Sequence, residues 1–243
     1  GRDVGAALVR HPRVAKISFT GSTAVGRGLL ADSAENVTRL SLELGGKSPF
    51  IIFADADLDA ALPAAAEAIF ANAGQVCVAG SRIYAERAIF DRVVEALRAA
   101  ADGYRLGPGF DPASTMGPLI SGVHRGRVDA MVAQAQAAGA DVVTGGRPVG
   151  ERGYFYAPTV IVGAAQDSAI VQEEVFGPVV VVTPFEGDAE AVALANDSGY
   201  GLAASLWTRD TSRALRLAGE VEAGIVWIND HGIPELAMPI GGV

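Results

Sequence analysis

A single cysteine, three histidines and a deficit of positive charge are the first things this 243-residue chain withholds. One cysteine cannot close an internal disulfide, so no covalent staple supports the fold. With 19 Lys and Arg against 28 Asp and Glu, the net charge is −9, and no basic stripe runs through it. That balance argues against a nucleic-acid or anionic-membrane partner and favours solubility. No apolar run approaches the ~20 residues a bilayer span needs, and the first residues carry no signal-peptide pattern. A resident metal is unsupported, because Cys, His, Asp and Glu nowhere cluster at ligand spacing. What is abundant is apolar: half of the residues, enough for a sizeable core in one large or two small domains.

Apolar spacing alternates between the two regular periods. A short strand at Lys16 to Phe19 leads through a Gly-Ser-Thr turn into a helix ending near Ala34, and Val37 to Leu44 alternates like a strand. Helices follow at about 57–70, from Ile89 onward, and at 121–138, the last with Val128, Met131, Val132 and Ala135 on one side. Strands are expected at 81–85, 141–144 and 159–162, with 145–153 an exposed glycine-rich loop. The fully apolar 179–185, a helix at 188–196, a strand at 203–208, a helix at 211–218 and a strand at 224–228 complete an α/β pattern. Such apolar strands suit a doubly wound sheet covered on both faces.

Cys77 lies in FANAGQVCVAGSR, where Gly74, Ala79, Gly80 and Ser81 let backbone and ligand approach closely. Asn72 and Gln75 flank it and are expected to tie down loop backbone rather than react. Upstream, Glu43 ends a strand just before Gly45 and Gly46. A carboxylate there, partly desolvated and unpaired, suits proton abstraction from water; pairing with Lys47 is the alternative. At the turn before the first helix, Ser22 and Thr23 stand where unpaired N–H groups and the helix dipole attract a pyrophosphate, although Ser22 serves equally as an N-cap. The three histidines, His11, His124 and His231, read as solvent-facing.

Taken in order, FTGST, ELGGKSP, F-x-N-x-G-Q-x-C, EEVFGPVV (Glu173 to Val180) and GIVWIND (Gly224 to Asp230) resemble the NAD(P)-dependent aldehyde dehydrogenase superfamily, over essentially the whole chain. The resemblance implies an α/β fold of that type. Residues 1–45 would be the tail of a Rossmann-type NAD(P)-binding domain and 46–243 a truncated catalytic domain. It implies Cys77 as nucleophile, its backbone N–H as an oxyanion donor, and Glu43 as the base that activates water in the hydrolytic branch of the family. NAD or NADP would be held by Gly21 and Ser22 at the pyrophosphate, with Gly26 easing close approach. Glu174 would bind the nicotinamide ribose, with Phe176 beside the nicotinamide; a tight turn before the strand at Val179 is the alternative use of EEVFGP.

By the same resemblance the substrate is a small-molecule aldehyde, the parent a cytoplasmic homodimer or homotetramer, and the chain a fragment. Its absent N-terminal half would carry the oxyanion asparagine and the adenine-side contacts, leaving an open sheet edge and an isolated chain without activity. Phe70, Ala71, Val76 and Val78 would line a substrate tunnel capped by residues 230–238. There Asp230 and Glu235 suit either a cationic aldehyde or a solvated loop. Two rivals stand beside this reading: a thiol hydrolase pairing Cys77 with His231 or His124, and a catalytically silent member of the fold.

Overall fold

The computed structural model describes residues 2–232 and 237–243 and divides into two compact units, one ending at Gly45 and the other beginning at Gly46. In the first unit, α1 (Arg2–Val9) precedes β1 (Lys16–Thr20), α2 (Thr23–Ser33) and β2 (Arg39–Glu43). The two strands pair in parallel from Lys16↔Arg39 to Thr20↔Glu43. Alternation sends Ile17, Phe19, Leu40 and Leu42 to one half-buried side and Lys16, Ser18, Arg39 and Ser41 to solvent. The strand starts later than Val37, which takes a left-handed φ of 51° and is 83 % exposed. A β-branched residue in that conformation belongs to a turn and cannot extend a strand.

The second unit is a seven-stranded sheet. Its strands are β3 (Pro49–Ile52), β4 (Arg82–Glu86), β5 (Asp141–Thr144), β6 (Thr159–Val162), β7 (Val179–Phe185), β8 (Ala203–Trp207) and β9 (Ile225–Ile228). They run in the order β5-β6-β7-β4-β3-β8-β9. Every pairing is parallel except β5 with β6. One face is covered by α3 (Leu58–Phe70), α4 (Phe90–Gly103) and α5 (Gly122–Ala137), the other by α7 (Gly187–Asn196) and α8 (Thr211–Ala218). A one-turn helix, α6 (Ala169–Gln172), packs beside α5.

Along β3, Phe50 and Ile52 join the first core while Ile51 and Phe53 join the second, and Ile83 and Tyr84 of β4 divide in the same way. This two-sided burial is the doubly wound arrangement that the apolar runs predict. The buried residues of α5 are Val128, Met131, Val132 and Ala135, the four its spacing selects. Sequence spacing does not mark β3 at all. It is four residues long, opens on a proline and is buried on both faces, so it carries no alternation. Nor does spacing reveal that β5 runs antiparallel, since pairing direction depends on the path of the chain between strands.

Candidate active site

Three segments converge because each enters one of three neighbouring parallel strands. Gly46 and Lys47 lead into β3, the Cys77 loop into β4, and Glu174 to Gly177 into β7; the sheet order places β7, β4 and β3 side by side. Gly46, Gly74, Val76, Ser81, Glu174 and Phe176 all border one small cleft.

The Cys77 loop leaves α3 through a 3-10 turn, Ala71–Gly74, in which Asn72, Ala73 and Gly74 all take positive φ (51°, 54° and 68°). Two consecutive non-glycine residues in that region cost on the order of 1 kcal/mol each, and side-chain amides hold the turn closed. Asn72 Nδ2 donates to the Gln75 carbonyl at 3.1 Å and Gln75 Nε2 to the Asn72 carbonyl at 3.2 Å. Gln75 Oε1 also accepts from Ile120 N at 2.8 Å. Both amides therefore tie loop backbone, the role expected of them. Cys77 is half-buried beyond this turn.

Glycines let the three segments touch. A Cβ on Gly74 would overlap the Gly177 carbonyl, and one on Gly46 would overlap the Cys77 carbonyl oxygen. Gly46 N also donates to Glu174 Oε1 at 3.2 Å. Burial pushes the Glu174 carboxyl up, opposed by the Gly46 amide and by Arg127, Lys47 and His124. Lys47, 2 % exposed, is pushed down to about 7, chiefly by burial and then by Arg82.

Two side chains of α5 hold the carbonyls of the Glu174–Gly177 segment. Arg127 donates to the Glu174 carbonyl at 2.6 Å, and His124 Nε2 lies 2.6 Å from the Phe176 carbonyl. A carbonyl only accepts, so His124 carries its proton on Nε2. Phe176 has φ 56°, an unfavourable conformation for a phenylalanine that this bond helps to retain.

His124 and His231 are thus not the solvent-facing residues their sequence positions suggest. His231 Nδ1 lies 2.6 Å from Ser205 Oγ, and burial lowers the ring to about 4, opposed by the Val78 backbone and by Asp230. Ser205 takes up His231 Nδ1 and the Phe176 carbonyl takes up His124 Nε2, an arrangement that gives no support to a cysteine–histidine hydrolase. The His124–Arg127 pair was legible as an i,i+3 spacing on one helix face; the burial of Lys47 and His231 left no local signal.

Phe70 is 1 % exposed and packs edge-on to Tyr104 at 5.6 Å. It is a core residue, which corrects its expected place on a tunnel wall; Val76 does border the cleft. Glu235 lies outside the described residues.

In the first unit, Ser22 caps α2, its Oγ accepting from Val25 N at 3.4 Å. Gly21 N donates to the Glu43 carbonyl at 3.0 Å, which locks the turn to the end of β2. Gly26 is buried, and a Cβ there would come within 2.7 Å of Leu44 Cδ2, so its missing side chain serves helix-on-strand packing. Glu43, the last residue of β2, is half-buried.

The model of the aldehyde dehydrogenase family matches residues 1–243. The chain belongs to that family. Among curated aldehyde dehydrogenases it is 46% identical to a 2-hydroxymuconic semialdehyde dehydrogenase of Pseudomonas sp. (strain CF600), over 98% of this chain and 50% of the relative. It is 44% identical to a phenylacetaldehyde dehydrogenase of Pseudomonas fluorescens, over 100% and 49%. Among solved structures, an aldehyde dehydrogenase of Bacillus cereus superposes with a TM-score of 0.97 at 44% identity, covering 99% of this chain and 49% of that one. A betaine aldehyde dehydrogenase of Staphylococcus aureus in complex with NAD+ superposes at 0.95 and 43% identity, covering 99% and 48%. The chain spans about half the length of the curated relatives it matches. No helix among the described residues is long and apolar enough to cross a membrane.

Proposed function

We propose that this chain is the nucleophile-bearing portion of an NAD(P)-dependent aldehyde dehydrogenase that oxidises a small-molecule aldehyde to a carboxylic acid. Residues 1–45 form the end of the NAD(P)-binding domain and 46–243 the catalytic domain. The observation that supports this most is the meeting at Gly46 of the Cys77 carbonyl and the Glu174 carboxylate, which brings thiol loop and cofactor segment to one cleft.

The Cys77 thiolate adds to the aldehyde carbon, forming a C–S bond while the carbonyl electron pair moves to oxygen; the Cys77 backbone N–H donates to the resulting oxyanion. A nicotinamide held by Glu174 and Phe176 would supply the acceptor for the hydride that this carbon loses. Cys77 then holds the acyl group as a thioester. Glu43 removes a proton from water, the hydroxide adds to the thioester carbonyl, and the C–S bond breaks to return the thiolate and release the acid. A glutamate here serves hydrolysis rather than acyl transfer to coenzyme A.

The residues suit a dinucleotide. Ser22 uses its acceptor on Val25 N, which leaves the hydroxyl proton for a pyrophosphate oxygen at the N-terminus of the 11-residue α2. The Glu174 carboxylate, oriented by Gly46 N, has a second oxygen for ribose hydroxyls. Phe176 at the cleft offers a wall beside a nicotinamide. The NAD+ complex of the Staphylococcus aureus relative supports a nicotinamide dinucleotide, either NAD or NADP.

In a full-length enzyme containing this chain, Cys77→Ala should abolish dehydrogenase and any esterase activity while cofactor binding stays nearly intact. NADH formation above a trace in that variant would remove Cys77 from the mechanism.

A further inference from the structure

We infer that Arg82 is a positioning residue for the cofactor carboxylate. Its guanidinium fixes both the turn whose Gly46 amide donates to Glu174 and the helix end to which the Glu174 segment is tied. This role rests on the reading of Glu174 as the ribose ligand. Arg82 opens β4, the strand between β7 and β3, and is 2 % exposed. A guanidinium sealed from water needs an acceptor for its N–H groups, or its burial costs more than the fold gains from it.

The acceptors are neutral oxygens from two directions. Toward β3, Nε donates to the Lys47 carbonyl at 2.7 Å. Toward the end of α7, Nη2 donates to the Ala195 carbonyl at 2.9 Å, and Nη1 to those of Leu194 and Asp197 at 3.2 and 3.4 Å. Nη1 also donates to the Tyr84 hydroxyl at 3.1 Å, and that hydroxyl donates onward to Gln166 Oε1 at 3.3 Å. The last carbonyls of a helix lack partners within it and carry the negative end of its dipole, so a cation suits them.

Both ends of the 3.2 Å bond from Gly46 N to Glu174 Oε1 hang on these contacts. On the donor side, Arg82 holds the carbonyl of Lys47, the residue directly after Gly46. On the acceptor side, the Asp197 carbonyl that meets Nη1 also accepts from Gln172 Nε2 at 3.0 Å and from Gln166 Nε2 at 3.3 Å. Gln172 ends α6, two residues before Glu174. From Asp197 the chain runs on to Leu202, whose Cβ would stand 3.3 Å from a Cβ on Gly46. A planar guanidinium with its donors spread along a fork reaches the strand entry and the helix end together, whereas the compact ammonium of a lysine serves one of them.

The test is a double-mutant cycle in a full-length enzyme containing this chain, read as the Kd for whichever of NADH and NADPH it binds, by nicotinamide fluorescence. Arg82→Met should raise that Kd about three- to tenfold, the effect of losing roughly one well-placed hydrogen bond, and Arg82→Lys should resemble it rather than the parent. In a Glu174→Ala background, where the Kd is already raised, Arg82→Met should add less than about twofold, because the arginine acts on the cofactor through that carboxylate. A residue that serves stability alone would instead leave the Kd of the folded enzyme unchanged, or raise it by the same factor in both backgrounds, and either result overturns the inference. If Arg82→Met fails to fold, Arg82→Lys, which keeps the buried charge, takes its place in the cycle under the same criteria. If neither folds, Arg82 is a folding residue only and the inference falls. An unchanged Kd in Glu174→Ala by itself overturns the ribose reading along with the inference, which separates that failure from equal factors in the two backgrounds, where the inference fails alone.

Discussion

The backbone amide of Gly46 donates to Glu174 Oε1 at 3.2 Å, joining the turn before β3 to the segment before β7 across 128 residues of sequence. The bond holds a carboxylate whose burial favours its protonated form. It exists because Gly46 has no side chain: a Cβ would overlap the Cys77 carbonyl and stand 3.3 Å from Leu202 Cβ. One glycine therefore sets the spacing between the thiol loop and the proposed ribose carboxylate.

Gly46→Ala should accordingly be destabilising, by about 1–3 kcal/mol as for other overpacked sites. Urea denaturation followed by tryptophan fluorescence reads this directly. A midpoint equal to that of the parent chain would mean that the turn yields freely and that the close approach is not needed.

Glu43→Gln should split the reaction at the thioester. The amide keeps the size of the carboxylate and one acceptor but cannot take a proton from water, so deacylation slows more than acylation. In a full-length enzyme, rapid mixing should show an NADH burst near one per active site followed by a much slower steady state. If Glu43 also helps to deprotonate Cys77, the burst itself slows, and higher pH partly restores it by supplying thiolate. Unchanged steady-state turnover would reduce Glu43 to a strand-end carboxylate and remove the hydrolytic assignment.

Two buried bases should tilt stability with pH. His231 is held at about 4 when folded, against 6.5 ordinarily. Between those values the unfolded chain binds more protons, so stability is full above pH 6.5 and falls as the pH drops toward 4, by up to about 3 kcal/mol. Lys47, at about 7 when folded against 10.5, acts with the same sign in a higher window: its buried ammonium weakens the fold near neutrality, and stability rises from pH 7 upward. Urea midpoints at pH 5, 7 and 9 should climb in the parent chain. His231→Phe should flatten the lower interval and Lys47→Met the upper one. Parallel profiles in parent and variants would show that these groups titrate normally.

Much of this protein was legible along the chain because the relevant physics is short-ranged. The spacing of Val128, Met131, Val132 and Ala135 marked both α5 and its inner face, and the apolar run at 179–185 marked β7, since burial on one helix face or both sheet faces is written at local periods. The five ordered motifs pointed to the family in the same local way, and the amides beside Cys77 announced a tied-down loop.

Only the tertiary structure decided which segments meet. The strand order β7-β4-β3 sets three loops, drawn from residues 46, 77 and 174, at neighbouring strand entries, an adjacency no periodicity encodes. It also decided that Phe70 turns into the core, that Lys47 is sealed from water, and that His231 folds back over the sheet to Ser205. Each of these depends on partners distant in sequence. Desolvation and hydrogen bonding act through space, so the chemistry of a lysine or histidine stays open until the chain has brought its neighbours to it.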